Sequence, residues 1–221
     1  MKYPLRSNLI LAAVLLVLYF FFFLWQTPGL LQDKLSTVEI EEYLVRLDQH
    51  LVAPPEAKQR FQEDLRSWGA SDDGQPVYMV NLLRFRPSLE RWAGGPDFKD
   101  APNPQHANDL YERSLAPLAL SSGVYPIFNG ETQGNKLVDD ALSTDAWDRV
   151  AVMRFPSRRV FFDWASDPEF GRLFAYKYAA VEIALVPATA ELLLPDLRLV
   201  LGLLLVIVYL LVRRRHGGKR V

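Results

Sequence analysis

No charged side chain lies between Arg6 and Asp33, and within that gap Leu9 to Trp25 reads LILAAVLLVLYFFFFLW. As a helix this run spans roughly 26 Å, and its uncharged shoulders carry it to the roughly 30 Å of a bilayer core. A cleaved secretory signal is the competing reading. Its apolar core would be shorter and a small-x-small site would follow, whereas FLWQTPGLLQ is bulky throughout. The expectation is an uncleaved membrane helix over residues 8–27, with Trp25 as an interfacial aromatic.

A second apolar run lies near the other end. Leu199 to Val212 covers only about 21 Å by itself, and extending it back to Leu192 reaches about 31 Å by taking in Pro195, Asp196 and Arg198. Those three fall in the first turns, where proline is tolerated and a charged side chain can reach the interface. A spanning helix over 192–212 is expected, against the alternative of a buried amphipathic helix. Lys2 and Arg6 precede the first run and Arg213, Arg214, Arg215, Lys219 and Arg220 follow the second, while Asp33, Glu39, Glu41 and Glu42 lie just beyond the first. The positive-inside rule then puts both termini in the cytoplasm and the middle of the chain outside it, at an inner (plasma) membrane with a periplasmic central domain in a bacterium. The basic tail, residues 213–221, also suits anionic lipid, so a lipid bilayer is the first expected partner.

What remains must hold any folded domain. The whole chain has a formal net charge of -1, and the aromatics do not interleave with a basic stripe, so nucleic acid is not expected. Cysteine is absent, which excludes disulfides, a thiol nucleophile and cysteine-type zinc sites.

Ser36-Thr37-Val38-Glu39 has the capping-box form and opens a helix from Thr37 to His50; Pro55 starts a second, with Phe61, Leu65 and Trp68 as its apolar stripe. This helical pair, 36–69, is either a spacer from the membrane or a lid. Val77 to Arg86, VYMVNLLRFR, reads as a strand apolar on both faces. A long segment from Pro87 to Pro104 lacks periodicity, as functional or mobile loops do. A helix follows over 104–121, then a strand over 124–131 whose Pro126 implies an edge or bulge. A strand within 142–155 comes next, then a helix over 158–166 restarted at Asp167-Pro168, and a last strand over 181–186 ended by Pro187. Strand, helix, strand, strand, helix, strand is the split βαβ plan: an α+β domain, ferredoxin-like βαββαβ, with both helices on one face of an antiparallel sheet.

Specific residues carry a resemblance. VYMVNLLRFR, then Tyr111 on a helix ending APLALSSG, then VYPIFNGE, then WDRVAVMRFPSRRVFFDWASDPEF resemble the DUF1330 family, and more broadly the dimeric α/β-barrel superfamily of ferredoxin-like domains. The resemblance covers residues 75–190 and implies a homodimer whose two sheets face each other around a cleft lined by strand residues. It implies no single activity, since that superfamily holds cofactor-free oxygenases, isomerases and haem enzymes beside members without a known reaction. The insert at 87–104 is longer than the family's pattern and is expected near the cleft mouth.

The candidate ligand-binding residues are Asn81, Arg84, His106, Tyr111, Tyr125 and Arg154. Asn81 sits mid-strand on an apolar face, where its amide either meets a ligand or satisfies neighbouring backbone. Arg84 and Arg154 at strand ends suit an anion or a surface ion pair. Tyr111 and Tyr125 offer hydroxyls but equally serve as core aromatics, with Trp147 as a wall. His106 is the only histidine of the domain, so no metal or haem pair is expected unless His50 or a second copy contributes. Asp139, Asp140, Asp145 and Asp148 lack the ordered spacing of a calcium loop and read as solvated charge. No phosphate loop, nucleophile elbow or zinc-protease motif is present. The expected function is a membrane-anchored binding module for a small organic ligand or partner, without a metal or cofactor; the alternative is a cofactor-free enzyme on a small organic substrate.

Overall fold

The computed structural model describes residues 3–133, 146–190 and 196–217. Helix α1 runs Tyr3–Trp25, followed by a 3-10 turn at Pro28–Leu30. The pair α2 (Thr37–His50) and α3 (Pro55–Ala70) comes next, then β1 (Val77–Phe85), α4 (Pro104–Ser121), β2 (Tyr125–Glu131), β3 (Arg149–Phe155), α5 (Arg158–Ala165), α6 (Pro168–Ala180), β4 (Val181–Ala188) and α7 (Leu197–Gly217). The chain is an α+β protein built on one four-stranded antiparallel sheet ordered β2-β3-β1-β4.

Register divides the sheet into two unlike faces. Met79 pairs with Met153, Asn81 with Ala151 and Leu185, and Leu83 with Ile183, and all of these point toward α4, α5 and α6. The opposite face has rows Phe128-Val152-Val80-Val186 and Gly130-Val150-Leu82-Ala184, with Phe128 and Val186 about half exposed. A bulge between Pro126 and Phe128 resets the alternation of β2, which is how an edge strand accepts a proline. Pro187 does not end β4. The strand continues to Ala188, and as the other edge strand it also tolerates the missing N–H.

Local signals account for the helix ends. Ser36 and Glu39 close a full capping box on α2, and Glu39 also binds Arg159, which with Ser36 holds its carboxyl down at about 2. Asn103, Ser157 and Asp167 cap α4, α5 and α6 through their side chains. Ile40, Tyr43, Leu44 and Leu47 recur on one stripe of α2 and are buried. They pack on α5 and α6, where Tyr43 donates to Asp163 at 2.6 Å and Phe162 lies between the Tyr43 and Trp68 rings. The helical pair thus shares the hydrophobic core of the sheet domain.

Gly171 marks the closest approach of the pair to α6. A Cβ there would meet the His50 carbonyl oxygen at 2.5 Å, and Val52 N–H donates to Gly171 O at 3.1 Å. Helix propensity alone would favour alanine by up to about 1 kcal/mol. Backbone on the other side cannot yield as a side chain would, so Gly171→Ala is expected to lower stability by about 1–3 kcal/mol in thermal unfolding.

The insert at 87–104 folds onto the end of α6 and the start of β4. Arg86 and Glu90 donate backbone N–H groups to Ala180 O and Ala179 O, and Phe98, 4% exposed, packs edge-on against Tyr176. Its apolar residues Leu89, Trp92, Phe98 and Ala101 explain the placement, because they complete a second small core with Leu83, Ala175, Ala179 and Val181.

At the other pole, α1 and α7 lie antiparallel: Arg198 sits over the Phe23 ring and Gly202 against Tyr19. Asn8–Trp25 is long and apolar enough to cross a membrane. In α7, Arg198 and Arg213 bound an uncharged run of 14 residues, Leu199–Val212.

Candidate functional site

A cavity of about 430 Å³ opens between the sheet and the helices. Its floor is the helix-facing side of the sheet, with Met79, Asn81, Ala151, Met153 and Leu185. Its roof comes from α4 and α6 through Tyr111, Leu115, Phe170, Phe174 and Lys177, and Phe61 of α3 and Trp164 of α5 close one end. Ala116 and Leu120 of α4 and Pro126 and Asn129 of β2 also line it and are exposed, so its mouth lies between α4 and the edge strand. No residue of the insert lines this cavity.

The walls are mainly apolar; Asn81, Tyr111, Glu112, Asn129 and Lys177 are the polar side chains that line them, with Trp164 Nε1 a further buried donor, and three of these bear most on what the cavity can hold. Asn81, 8% exposed, donates its amide to Met79 O at 2.9 Å and Ala151 O at 3.4 Å. The backbone alternative holds for the NH2, which satisfies strand carbonyls; among the described residues no group donates to Oδ1, and the residue lines the cavity. Tyr111, 7% exposed, makes no hydrogen bond through its hydroxyl among the described residues. Burial, with Glu112 beside it, pushes its phenol well above the ordinary range, so it stays a proton donor.

Lys177 is the third. It is 7% exposed, its Nζ lies 4.8 Å from the centre of the Tyr111 ring, and among the described residues it makes neither a hydrogen bond nor a salt bridge. Loss of hydration lowers its pKa from 10.5 to about 8; Glu112 opposes that shift and Arg149 adds to it. Glu112 is already engaged, accepting from Asn108 at 2.9 Å and from Arg149 at 3.2 Å, and Arg149 also donates to Asn129 Oδ1 at 2.8 Å. This network holds the carboxylate away from the amine.

The lowered pKa carries a pH signature. Below about pH 8 the folded and unfolded states both hold the Lys177 proton and its full penalty stands; between about 8 and 10.5 the unfolded state binds more protons, so stability rises with pH. Lys177→Met removes the group. The variant is expected to be more stable than the wild type by about 2 kcal/mol at pH 7 and to lose that advantage by pH 10.5, read as the difference between their unfolding curves in detergent.

The other sequence candidates lie elsewhere. Arg84 binds Glu182 on the opposite sheet face at 2.8 Å through Nε, with the Trp147 ring 5.9 Å away. His106 is exposed in the first turn of α4, its backbone N–H capped by Asn103 at 2.8 Å. Tyr125 and Arg154 meet on the opposite face, 5.6 Å from guanidinium carbon to ring centre. Arg154, the expected anion or surface group, is wholly buried: it donates to Gln26 Oε1 at 2.6 Å and Gln26 O at 2.9 Å beneath the end of α1. It forms part of a structural latch. Asp139, Asp140 and Asp145 lie outside the described residues, and Asp148 accepts the Phe85 N–H at 2.7 Å. No group of three metal-ligating side chains occurs among the described residues.

No family model matches the chain, and no curated protein does. Two solved structures are similar to it, both of one protein of unknown function from Rhodopseudomonas palustris, the second in methylated form. They share 22% and 24% sequence identity with this chain, span 65% and 66% of it and 98% of their own length, and each has a TM-score of 0.49.

Proposed function

We propose that this protein is a membrane-tethered binding module that takes a small, mainly apolar organic molecule into the cavity between its sheet and helices. The observation that carries the reading is the set of three polar ends, Asn81 Oδ1, Tyr111 OH and Lys177 Nζ, that have no hydrogen-bonding or ion-pair partner among the described residues in a mainly apolar chamber. Buried polar groups normally find partners, and a ligand supplies those these three lack. The domain is read as ferredoxin-like, of the dimeric α/β-barrel type, on the order β2-β3-β1-β4 and on its resemblance to the DUF1330 family.

Two further parts belong to this reading. Helices α1 and α7 form a membrane hairpin whose basic outer ends lie in the cytoplasm, with the domain on the other side. A second copy covers the open sheet face, where the rows through Val80 and Leu82 present contiguous apolar side chains beyond the shelter of the helix pair. A cofactor-free enzyme is the second reading, favoured by an unpaired amine and a protonated phenol on one cavity wall.

Native mass spectrometry of the full chain released from detergent tests the module directly. A dimer carrying a co-purified small molecule is the expected result. A strictly monomeric species removes the dimer, and a ligand-free one that takes up no added apolar compound removes the binding reading.

A further inference from the structure

Lys177 has the surroundings of a nucleophilic amine. Its stem leaves α6 on the buried stripe after Phe170 and Leu173, and its Nζ lies in the cavity over the face of Tyr111. The charged groups acting on it are Glu112 of α4 and Arg149 of β3, and these are bonded to each other. No carboxylate among the described residues is within salt-bridge range, so nothing in the cavity holds the amine as a fixed cation. An amine desolvated among apolar walls carries a larger fraction of its free base near neutral pH than a surface lysine does.

We propose that Lys177 captures apolar aldehydes or ketones as a reversible imine. The inference rests on reading the cavity as a small-molecule site and names the ligand class. The Nζ lone pair attacks the carbonyl carbon, the C–N bond forms, and the C=O π pair moves to oxygen, which takes a proton from the Tyr111 hydroxyl. The ammonium nitrogen of this adduct returns a proton to Tyr111, leaving a neutral carbinolamine. Tyr111 then gives its proton to the departing hydroxyl, which leaves as water while the nitrogen lone pair closes the C=N bond, and the iminium nitrogen returns its proton to the Tyr111 phenolate, so a neutral imine and one water form for each carbonyl bound. Asn81 Oδ1 lines the same cavity as an acceptor for the carbinolamine O–H. The apolar remainder of the ligand occupies the aromatic end under Phe61, Trp164 and Phe174.

The test uses full-length protein in detergent with trans-cinnamaldehyde, trapped by cyanoborohydride at pH 7.5 and mapped by peptide mass. Cinnamyl alcohol, which cannot form an imine, is the control, and its binding is read as quenching of Trp164 with Trp164→Phe as reference. The expected result is labelling of Lys177 at least tenfold faster than Lys2, Lys34, Lys58, Lys99, Lys136 or Lys219, with that fast site lost in Lys177→Arg. Quenching by both compounds without preferential labelling of Lys177 overturns the imine and leaves the cavity as a binding site. Neither quenching nor labelling overturns both.

Discussion

Phe162→Ala is expected to lower the stability of the folded domain by about 3–5 kcal/mol, the usual cost of emptying a buried phenylalanine site. Phe162 is 1% exposed and sits 5.4 Å from the Tyr43 ring and 6.1 Å from Trp68, centre to centre. Gly69 lies so close beneath it that an added Cβ would come within 2.9 Å of its ring. The void would open between α5 and the α2–α3 pair, among the Tyr43 and Trp68 rings. Limited proteolysis should therefore cut the α2–α3 connection, residues 51–54, in the variant well before the wild type, while circular dichroism reports the fall in melting temperature. Equal cleavage rates would mean that the pair is held to the domain by something other than this aromatic joint.

Arg154→Met is expected to cost about 4 kcal/mol, because it strands two buried acceptors on Gln26 and removes a guanidinium lying over the Tyr125 ring. Gln26 is 1% exposed and also donates to Gly123 O at 3.2 Å, so the residue that follows α1 is tied to both β3 and the turn before β2. Beside it Arg198 links Asp196 at 2.6 Å with Thr27 at 3.2 Å, joining the start of α7 to the same place. The expected readout is a lower melting temperature in detergent together with faster cleavage after Thr27. The paired change Arg154→Met with Gln26→Leu should recover only a small part of the loss, since it removes the stranded side-chain acceptor but leaves Gln26 O and Gly123 O without their donors.

Elements with local signals were legible in the chain. The capping box of α2, the Asp167-Pro168 restart and the largely apolar strand at Val77 to Arg86 are short-range patterns, and the structure places those elements within a residue or two of them. Of the candidate residues, Asn81 and Tyr111 line one cavity, between the sheet and the helices. The burial of Arg154 is not legible in sequence, because its partner lies 128 residues away and no pattern announces a pairing of that range. Lys177 was missed for a different reason. The spacing 170, 173, 177 puts it on the buried face of α6, where a lysine is seldom expected. A single charged residue on an otherwise apolar helical stripe was the available signal.

The cavity itself can be watched through methionine. Of the three methionines in the chain, Met79 and Met153 both line it, on adjacent strands. Protein labelled with 13C at the methionine methyls, in detergent, is titrated with cinnamyl alcohol, trans-cinnamaldehyde, indole and decanoic acid. The account predicts that at least one of these moves both methyl resonances together and saturably. Both resonances unmoved by all four would contradict the claim that this chamber receives a small apolar molecule.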